Sequence, residues 1–207
     1  MSTSWPPTHS FPRCTWLSHL LGRFVLWASG WKVEGQVPDG VPKAVLIAAP
    51  HTSNWDFVFA LAAGWALGLR IRWLGKDALF KPPLGWLLRP LGGLAVDRSK
   101  PHGMVGEVAR SFREVDAMLL MVPAEGTRSR RDYWKSGFYF MAKEAGVPIL
   151  AGYLDYGRKV ASTGIPLQPS SDVRADMDVL RAHYDGRVGA HPQHFSPVRL
   201  RQEDPEV

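Results

Sequence analysis

The chain has little cysteine and no long apolar run. Cys14 is the only cysteine among 207 residues, which excludes an intrachain disulfide and a cysteine-based metal cluster. No stretch reaches the roughly 18 uncharged apolar residues that a membrane-spanning helix needs. The polar, proline-rich residues 1–14 do not resemble a signal peptide. If the protein binds a membrane, these absences predict that it lies on the surface.

Two functional motifs are also missing from the sequence. Without a G-x-S-x-G elbow, a serine hydrolase is disfavoured. The formal net charge of +6 favours an anionic partner, such as a phosphate-bearing substrate, an anionic membrane or a nucleic acid. No nucleic-acid-binding motif accompanies that charge, so we expect no nucleic-acid partner. A non-catalytic basic module that binds anionic membrane or nucleic acid remains an alternative, with a local patch at Arg128, Arg130, Arg131 and Lys135.

Tryptophan, by contrast, is abundant, with nine residues in the chain. Residues 15–29 predict an amphipathic helix with a wide apolar face, and His19 and Arg23 mark its narrower polar side. Such a helix either packs on the protein or binds a membrane surface. Residues 79–91 combine apolar side chains, three prolines, Trp86 and two basic residues. This mixture suits a lipid surface, an apolar groove or a packed connection.

The order of apolar segments predicts the fold class. Strands are predicted at residues 45–49, 70–74, 92–96, 118–122 and 147–153, with helical patterns between them. We expect a single α/β layered domain with a mixed, largely parallel sheet flanked by helices and preceded by an N-terminal amphipathic helix. The predicted division is a disordered N-terminus at 1–14, a membrane-associating helix at 15–31, the α/β domain at 32–190 and a loose tail at 191–207.

Polar clusters follow three of the predicted strands: residues 51–56, 97–98 and 125–131. In such sheets, ligands bind beyond the carboxyl ends of the strands. His51 lies on the first strand-to-helix turn, and Asp56 follows it in the first turn of the helix. A tight turn can bring the two together, so that the carboxylate orients the imidazole as a general base.

The third cluster has the components of an anion site. Gly126 lets the backbone approach a ligand closely, and Thr127 offers a hydroxyl and an N–H group. Arg128 provides a planar fork that suits phosphate oxygens. Glu125 could hold that arginine or accept a hydrogen bond from a substrate hydroxyl. Arg98 could provide a second phosphate contact, directed by Asp97.

A metal-dependent hydrolase is a rival interpretation of His51 and Asp56. It lacks a third ligand nearby in the sequence. The other histidine cluster, at His183, His191 and His194, lies in a stretch that is predicted to be solvated tail. We therefore expect no metal site.

These motifs together resemble the glycerolipid acyltransferase family, whose type members are the 1-acylglycerol-3-phosphate acyltransferases. The resemblance rests on the H-x4-D spacing of His51 and Asp56 and on the sequence EGTRS at residues 125–129. Residues 93–98, GLAVDR, are similar to the middle motif of that family, and residues 147–150, VPIL, to its fourth motif. The four motifs occur in family order over about residues 45–152.

The resemblance implies a mechanism and a set of site residues. His51 would take the proton from a lysophospholipid hydroxyl, Asp56 would hold the imidazole, and the alkoxide would attack an acyl-CoA or acyl-carrier-protein thioester. Arg98 and residues 125–128 would bind the phosphate or polar head of the acceptor. Lys76 and the backbone near Gly93 are candidates for an oxyanion or acyl-donor contact. No cofactor is implied, and the enzyme would be peripheral or monotopic at the cytoplasmic face of the membrane.

Some positions depart from the family pattern. Residues 52–55 are TSNW, where phosphatidic-acid-forming members more often have Gln-Ser after the histidine. Ala124 separates Pro123 from Glu125, where the family usually has proline directly before glutamate. Ala151 stands in place of a second proline in the fourth motif. The H-x4-D and EGTR motifs remain intact. The first-choice acceptor is 1-acylglycerol-3-phosphate, and another lyso-lipid, such as an aminolipid, is the alternative.

Overall fold

The computed structural model describes residues 9–35, 37–96 and 101–204, with the side chains of 101 and 102 excepted. The elements are, in chain order, α1 (Trp16–Ser29), β1 (Lys32–Glu34), β2 (Lys43–Ala49), α2 (Trp55–Ala66), β3 (Ile71–Lys76), α3 (Leu84–Leu88), β4 (Gly93–Val96), α4 (Pro101–Arg113), β5 (Met118–Val122), α5 (Gly137–Ala145), β6 (Ile149–Asp155), β7 (Val160–Ser162), β8 (Pro166–Leu167) and α6 (Val173–Tyr184). Short 3-10 turns lie at Asp77–Phe80, Pro192–His194 and Arg201–Glu203.

The strands form one mixed sheet with the order β1-β7-β6-β2-β5-β3-β4, and β8 pairs with β6. The pairs β2–β5, β2–β6, β3–β5, β3–β4 and β1–β7 are parallel, whereas β6 pairs antiparallel with β7 and β8. The predicted mixed, largely parallel sheet with flanking helices is therefore confirmed, as is the preceding N-terminal helix.

Central strand β2 is buried on both faces, as its apolar sequence predicts. Val45 and Ile47 belong to the core beneath α4, α5 and α6, and Ala44 and Leu46 belong to the core beneath α2. This division follows from the alternation of side chains along a strand. Because β2 lies in the middle of the sheet, the turn after Ala49 emerges between the ends of β5 and β6.

Helix α1 packs on α2 through its small and polar residues. A Cβ added at Gly22 would lie 2.5 Å from the backbone oxygen of Ala62, so the close approach of the helices requires glycine there. His19 is buried, and its Nδ1 lies 3.0 Å from the carbonyl oxygen of Trp65. Leu26 is buried as well, and most of the other large apolar side chains point away from the domain. Those exposed are Trp16, Leu17, Leu20, Leu21, Phe24 and Trp27.

The two ends of the chain differ from their predicted disorder where the structure describes them. Residues 9–14 pack against the start of β3, with Phe11 buried and the Arg70 N–H donating to Pro12 O over 2.7 Å. The predicted disorder of residues 1–8 falls outside the described part of the chain. Residues 191–204 are not a loose tail, because Leu200 is fully buried and the Trp134 N–H donates to Arg199 O. These contacts join residues distant in sequence, so no local pattern revealed them.

Candidate active site

His51 and Asp56 are brought together by the turn between β2 and α2. The turn begins with a cis Ala49–Pro50 peptide bond. Nδ1 of His51 lies 3.2 Å from Oδ2 of Asp56, and the imidazole is 19% exposed while the carboxylate is 3% exposed. The imidazole is therefore accessible from solvent, and the carboxylate behind it is shielded.

The Asp56 carboxylate is held by several donors. Its Oδ2 accepts hydrogen bonds from the N–H groups of Thr52 (2.7 Å) and Ser53 (2.8 Å), and its Oδ1 accepts one from the Tyr156 hydroxyl (2.6 Å). Burial alone would raise the pKa of Asp56, but the hydrogen bonds from His51, Tyr156 and Ser53 outweigh it and hold the pKa below its usual value. Asp56 is therefore an anion at neutral pH and can orient the imidazole.

Glu125 stands directly behind the His51 turn. Its Oε1 accepts a hydrogen bond from the His51 backbone N–H over 2.6 Å, and its Oε2 accepts one from the Ser196 backbone N–H over 3.0 Å. The side chain is buried. Burial raises the pKa of Glu125, and the two amide donors oppose that shift. These contacts differ from those expected from the sequence, since both oxygens bind backbone amides rather than Arg128 or an open acceptor site.

The loop after Glu125 presents the predicted anion-binding groups. Gly126 has φ +67°, and a Cβ there would lie 2.6 Å from Cγ of Lys135, so glycine is required. Thr127 is partly exposed and Arg128 is exposed. Because β2 and β5 are parallel neighbours with Ile47 paired to Val122, this loop and the His51 turn leave the sheet at the same edge.

Three predicted site residues remain, namely Lys76, Gly93 and Arg98. Lys76 is exposed at the last position of β3, at the same edge of the sheet and one strand beyond β5. Gly93 instead begins β4 opposite Trp73 and is packed beneath Phe80, away from the carboxyl ends of the strands. Arg98 lies outside the described residues.

Part of the site comes from the C-terminal third of the chain and was not predicted from the sequence. The His191 N–H donates to the buried hydroxyl of Thr52 over 3.1 Å, and a Cβ at Gly189 would lie 2.8 Å from that hydroxyl. Ser196 also accepts a hydrogen bond from the Arg131 N–H on its Oγ. Tyr156 could have been predicted as a site residue because it follows a predicted strand. No sequence pattern around Ser196 indicates a role in the site.

The described part of the chain contains no group of three or more His, Cys, Asp or Glu side chains arranged to hold a metal ion. In the same residues, no helix is both long and apolar enough to cross a bilayer.

Comparison with known proteins places this chain within a family. A family model described as Acyltransferase matches residues 32–154, which include His51, Asp56 and Glu125. The chain is 31% identical over 140 residues to a 1-acyl-sn-glycerol-3-phosphate acyltransferase of Limnanthes alba, covering 64% of this chain and 48% of the relative. It is 33% identical over 141 residues to the protein of that name in Escherichia coli (strain K12), covering 64% and 56%. The chain thus spans about half the length of these curated relatives.

A solved structure shares the fold. The crystal structure of the 1-acyl-sn-glycerophosphate (LPA) acyltransferase PlsC from Thermotoga maritima has a TM-score of 0.58 and 19% sequence identity, covering 82% of this chain and 76% of that one. That likeness supports the α/β architecture. Since the family model spans residues 32–154, more than half of the sequence, the resemblance seen in the motifs is confirmed and the chain belongs to the acyltransferase family.

Proposed function

We propose that this protein transfers a fatty acyl group from an acyl-CoA or acyl-carrier-protein thioester to a hydroxyl of a lysophospholipid, with 1-acylglycerol-3-phosphate as the first-choice acceptor. The observation that carries the proposal is the His51–Asp56 pair, 3.2 Å apart, beside the exposed Arg128 loop at one edge of the sheet. The relatives that match this chain carry the name of that acceptor.

The proposed reaction needs a base rather than a protein nucleophile. With Nδ1 directed at Asp56, Nε2 of His51 takes the proton from the acceptor hydroxyl, and the oxygen attacks the thioester carbonyl carbon. The tetrahedral intermediate collapses with loss of the thiolate, which recovers the proton from His51. The products are the new ester and the free thiol, and no cofactor takes part.

The acceptor phosphate is assigned to the loop after Glu125. Gly126 admits a ligand close to the backbone, Thr127 offers its hydroxyl, and Arg128 supplies the charge. Arg98 remains a proposed second contact from the sequence. Lys76 is the remaining side-chain candidate for contact with the acyl donor or the oxyanion. It ends β3, which lies about two strand spacings, roughly 10 Å, from β2.

Arg128→Ala is expected to raise KM for a phosphate-bearing acceptor about tenfold or more, because a charge-assisted hydrogen bond contributes about 1.5–3 kcal/mol. KM for the acyl donor should stay near its original value. Steady-state kinetics with each substrate varied in turn measures both. Arg113→Ala, which removes another exposed arginine at the end of α4, is the control. An unchanged acceptor KM in the Arg128 variant would exclude the phosphate role.

An acceptor panel tests the proposed reaction itself. Lysophosphatidic acid, a lyso-aminolipid and lysophospholipids with larger headgroups are each incubated with acyl-CoA or acyl-carrier protein, and the products are identified by mass. We expect the greatest turnover with 1-acylglycerol-3-phosphate. Preference for a lyso-aminolipid would select the alternative acceptor, and no transfer to any member, with salt-sensitive binding to DNA or anionic vesicles, would favour the non-catalytic module.

A membrane surface is the proposed site of action, because the acceptor is a lipid and α1 exposes its apolar face. Trp27 is 78% exposed and Leu17 is 69% exposed. Monomeric soluble proteins rarely expose large contiguous apolar patches, whereas amphipathic helices with tryptophan bind the bilayer interface. Residues 79–91 add Leu79, Leu84, Trp86 and Leu87 as exposed side chains. The cytoplasmic face stays a prediction from the sequence.

Replacing both Leu17 and Trp27 by serine is expected to lower partitioning onto anionic phospholipid vesicles about tenfold or more, since each large apolar side chain contributes up to roughly 1.5–3 kcal/mol when buried. Co-sedimentation with vesicles of phosphatidylglycerol and phosphatidylethanolamine measures the partitioning. Val179→Ser on α6, across the sheet from α1, removes an exposed apolar side chain and should leave binding intact. Equal partitioning of all three proteins would place the membrane contact elsewhere.

A further inference from the structure

We propose that Tyr156 is a positioning residue of the active site: its hydroxyl holds one oxygen of Asp56 so that the other remains directed at His51. The inference rests on the proposed acyl transfer for its kinetic consequence. The alignment of the Asp56 carboxylate with the His51 imidazole can be tested without turnover.

The sheet brings Tyr156 to this place. Strands β2 and β6 are parallel neighbours, with Ala49 paired to Tyr153. The two chains therefore leave the sheet side by side, one towards His51 and the other towards Tyr156. The turn after β6 is fixed because the Tyr156 N–H donates to Val188 O over 2.8 Å and the Gly157 N–H donates to Oδ1 of Asp155 over 3.0 Å. Tyr156 thus reaches Asp56 from a rigid element 100 residues away.

The donors to Asp56 divide between its two oxygens. Oδ2 accepts both backbone N–H groups of the turn and also faces Nδ1 of His51. Oδ1 accepts the Tyr156 hydroxyl over 2.6 Å and has no other hydrogen-bond donor among the described residues. Loss of that hydroxyl would leave a buried carboxylate oxygen without its donor. The carboxylate would then be freer to rotate, and its alignment with the imidazole would be lost.

The phenol ring is fixed by neighbouring aromatic rings. It packs edge-on against Trp31 with the ring centroids 4.8 Å apart, and lies 6.1 Å from Phe59. Burial and the hydrogen bond to Asp56 both raise the pKa of Tyr156, so the hydroxyl keeps its proton and remains a donor. Because phenylalanine fills the same space, Tyr156→Phe removes the hydroxyl and preserves the packing.

The molecule contains a matched control for this substitution. The Tyr139 hydroxyl donates to Oδ2 of Asp176, also over 2.6 Å. This second pair joins α5 to α6, and its further hydrogen bonds run to Ser170, away from the His51 turn in sequence. Tyr139→Phe therefore removes an equivalent tyrosine–aspartate hydrogen bond outside the site.

The kinetic experiment compares the two variants in the acyl transfer assay. We expect Tyr156→Phe to lower kcat about tenfold with both KM values unchanged, because the carboxylate that orients His51 loses a charge-assisted hydrogen bond. Tyr139→Phe should keep its kcat. In an Asp56→Asn background, Tyr156→Phe should cause little further loss, because the carboxylate on which it acts is gone. Full activity of Tyr156→Phe, or equal losses in both backgrounds, would overturn the inference.

A spectroscopic experiment separates this inference from the proposed reaction. The Nδ1 proton of His51 that faces Asp56 is followed by proton NMR, with assignment by its disappearance in His51→Gln. We expect the resonance to shift or broaden in Tyr156→Phe and to stay in place in Tyr139→Phe. An unchanged resonance would overturn the positioning role. A changed resonance in a protein that transfers no acyl group would refute the proposed function and retain the role of Tyr156 in ordering the pair.

Discussion

His51→Ala is expected to lower kcat for acyl transfer about a thousandfold or more while leaving the unfolding midpoint close to that of the original protein. A positioned general base typically contributes 10²- to 10⁴-fold, and no other described side chain is paired with Asp56 in the same way. The fold should tolerate the change because the imidazole is partly exposed and the turn depends on the His51 backbone N–H, which alanine keeps.

The control for this experiment is a measurement that the His51→Ala variant is folded. Circular dichroism and thermal unfolding should show a folded variant, so that lost turnover reports lost chemistry. Asp56→Asn should cause a smaller loss in kcat, since the imidazole remains and only its orientation is impaired. Undiminished turnover of thioester and lysolipid by a folded His51→Ala variant would refute the assignment of His51 as the base.

Glu125→Ala is expected to destabilise the protein by about 2–6 kcal/mol and to lower kcat together with it. The change leaves the buried N–H groups of His51 and Ser196 without their acceptor, and each unsatisfied group costs about 1–3 kcal/mol. The segment around Ser196 should loosen as a result. Urea unfolding measures the stability, and limited proteolysis with mapping of cleavage sites detects loosening of residues 189–200.

Two further variants define what this result means. Glu114→Ala removes an exposed glutamate after α4 and should change neither property. Glu125→Gln keeps the shape but presents one oxygen and one N–H₂ group to two donors, so it should fall between the original protein and Glu125→Ala. If Glu125→Ala left the stability unchanged and raised only KM for the acceptor, Glu125 would instead contact the acceptor, as expected from the sequence.

The sequence predicted the parts of this site that depend on local pattern. His51 and the loop at 125–128 follow apolar runs, and parallel strands carry such turns to one edge of the sheet. The H-x4-D spacing then indicated an imidazole beside a carboxylate, and the 3.2 Å separation agrees with it.

Long-range partners were beyond the reach of local pattern. Strands β7 and β8 are three and two residues long, too short to show an alternation. Glu125 was expected to face a ligand because nothing near it in sequence reveals the Ser196 amide, 71 residues away. The same holds for the hydroxyl of Tyr156, which reaches Asp56 only because β6 lies beside β2.

The aromatic group of Trp31, Phe59 and Tyr156 has a mechanical consequence. Trp31 lies two residues after the end of α1, stacks on Phe59 of α2 at 4.5 Å and meets Tyr156 edge-on. The helix with the exposed apolar face is thus connected through two ring contacts to the hydroxyl that holds Asp56. A displacement of α1 would therefore be felt at the Tyr156 hydroxyl, so the exposed helix and the His51–Asp56 pair would not move independently.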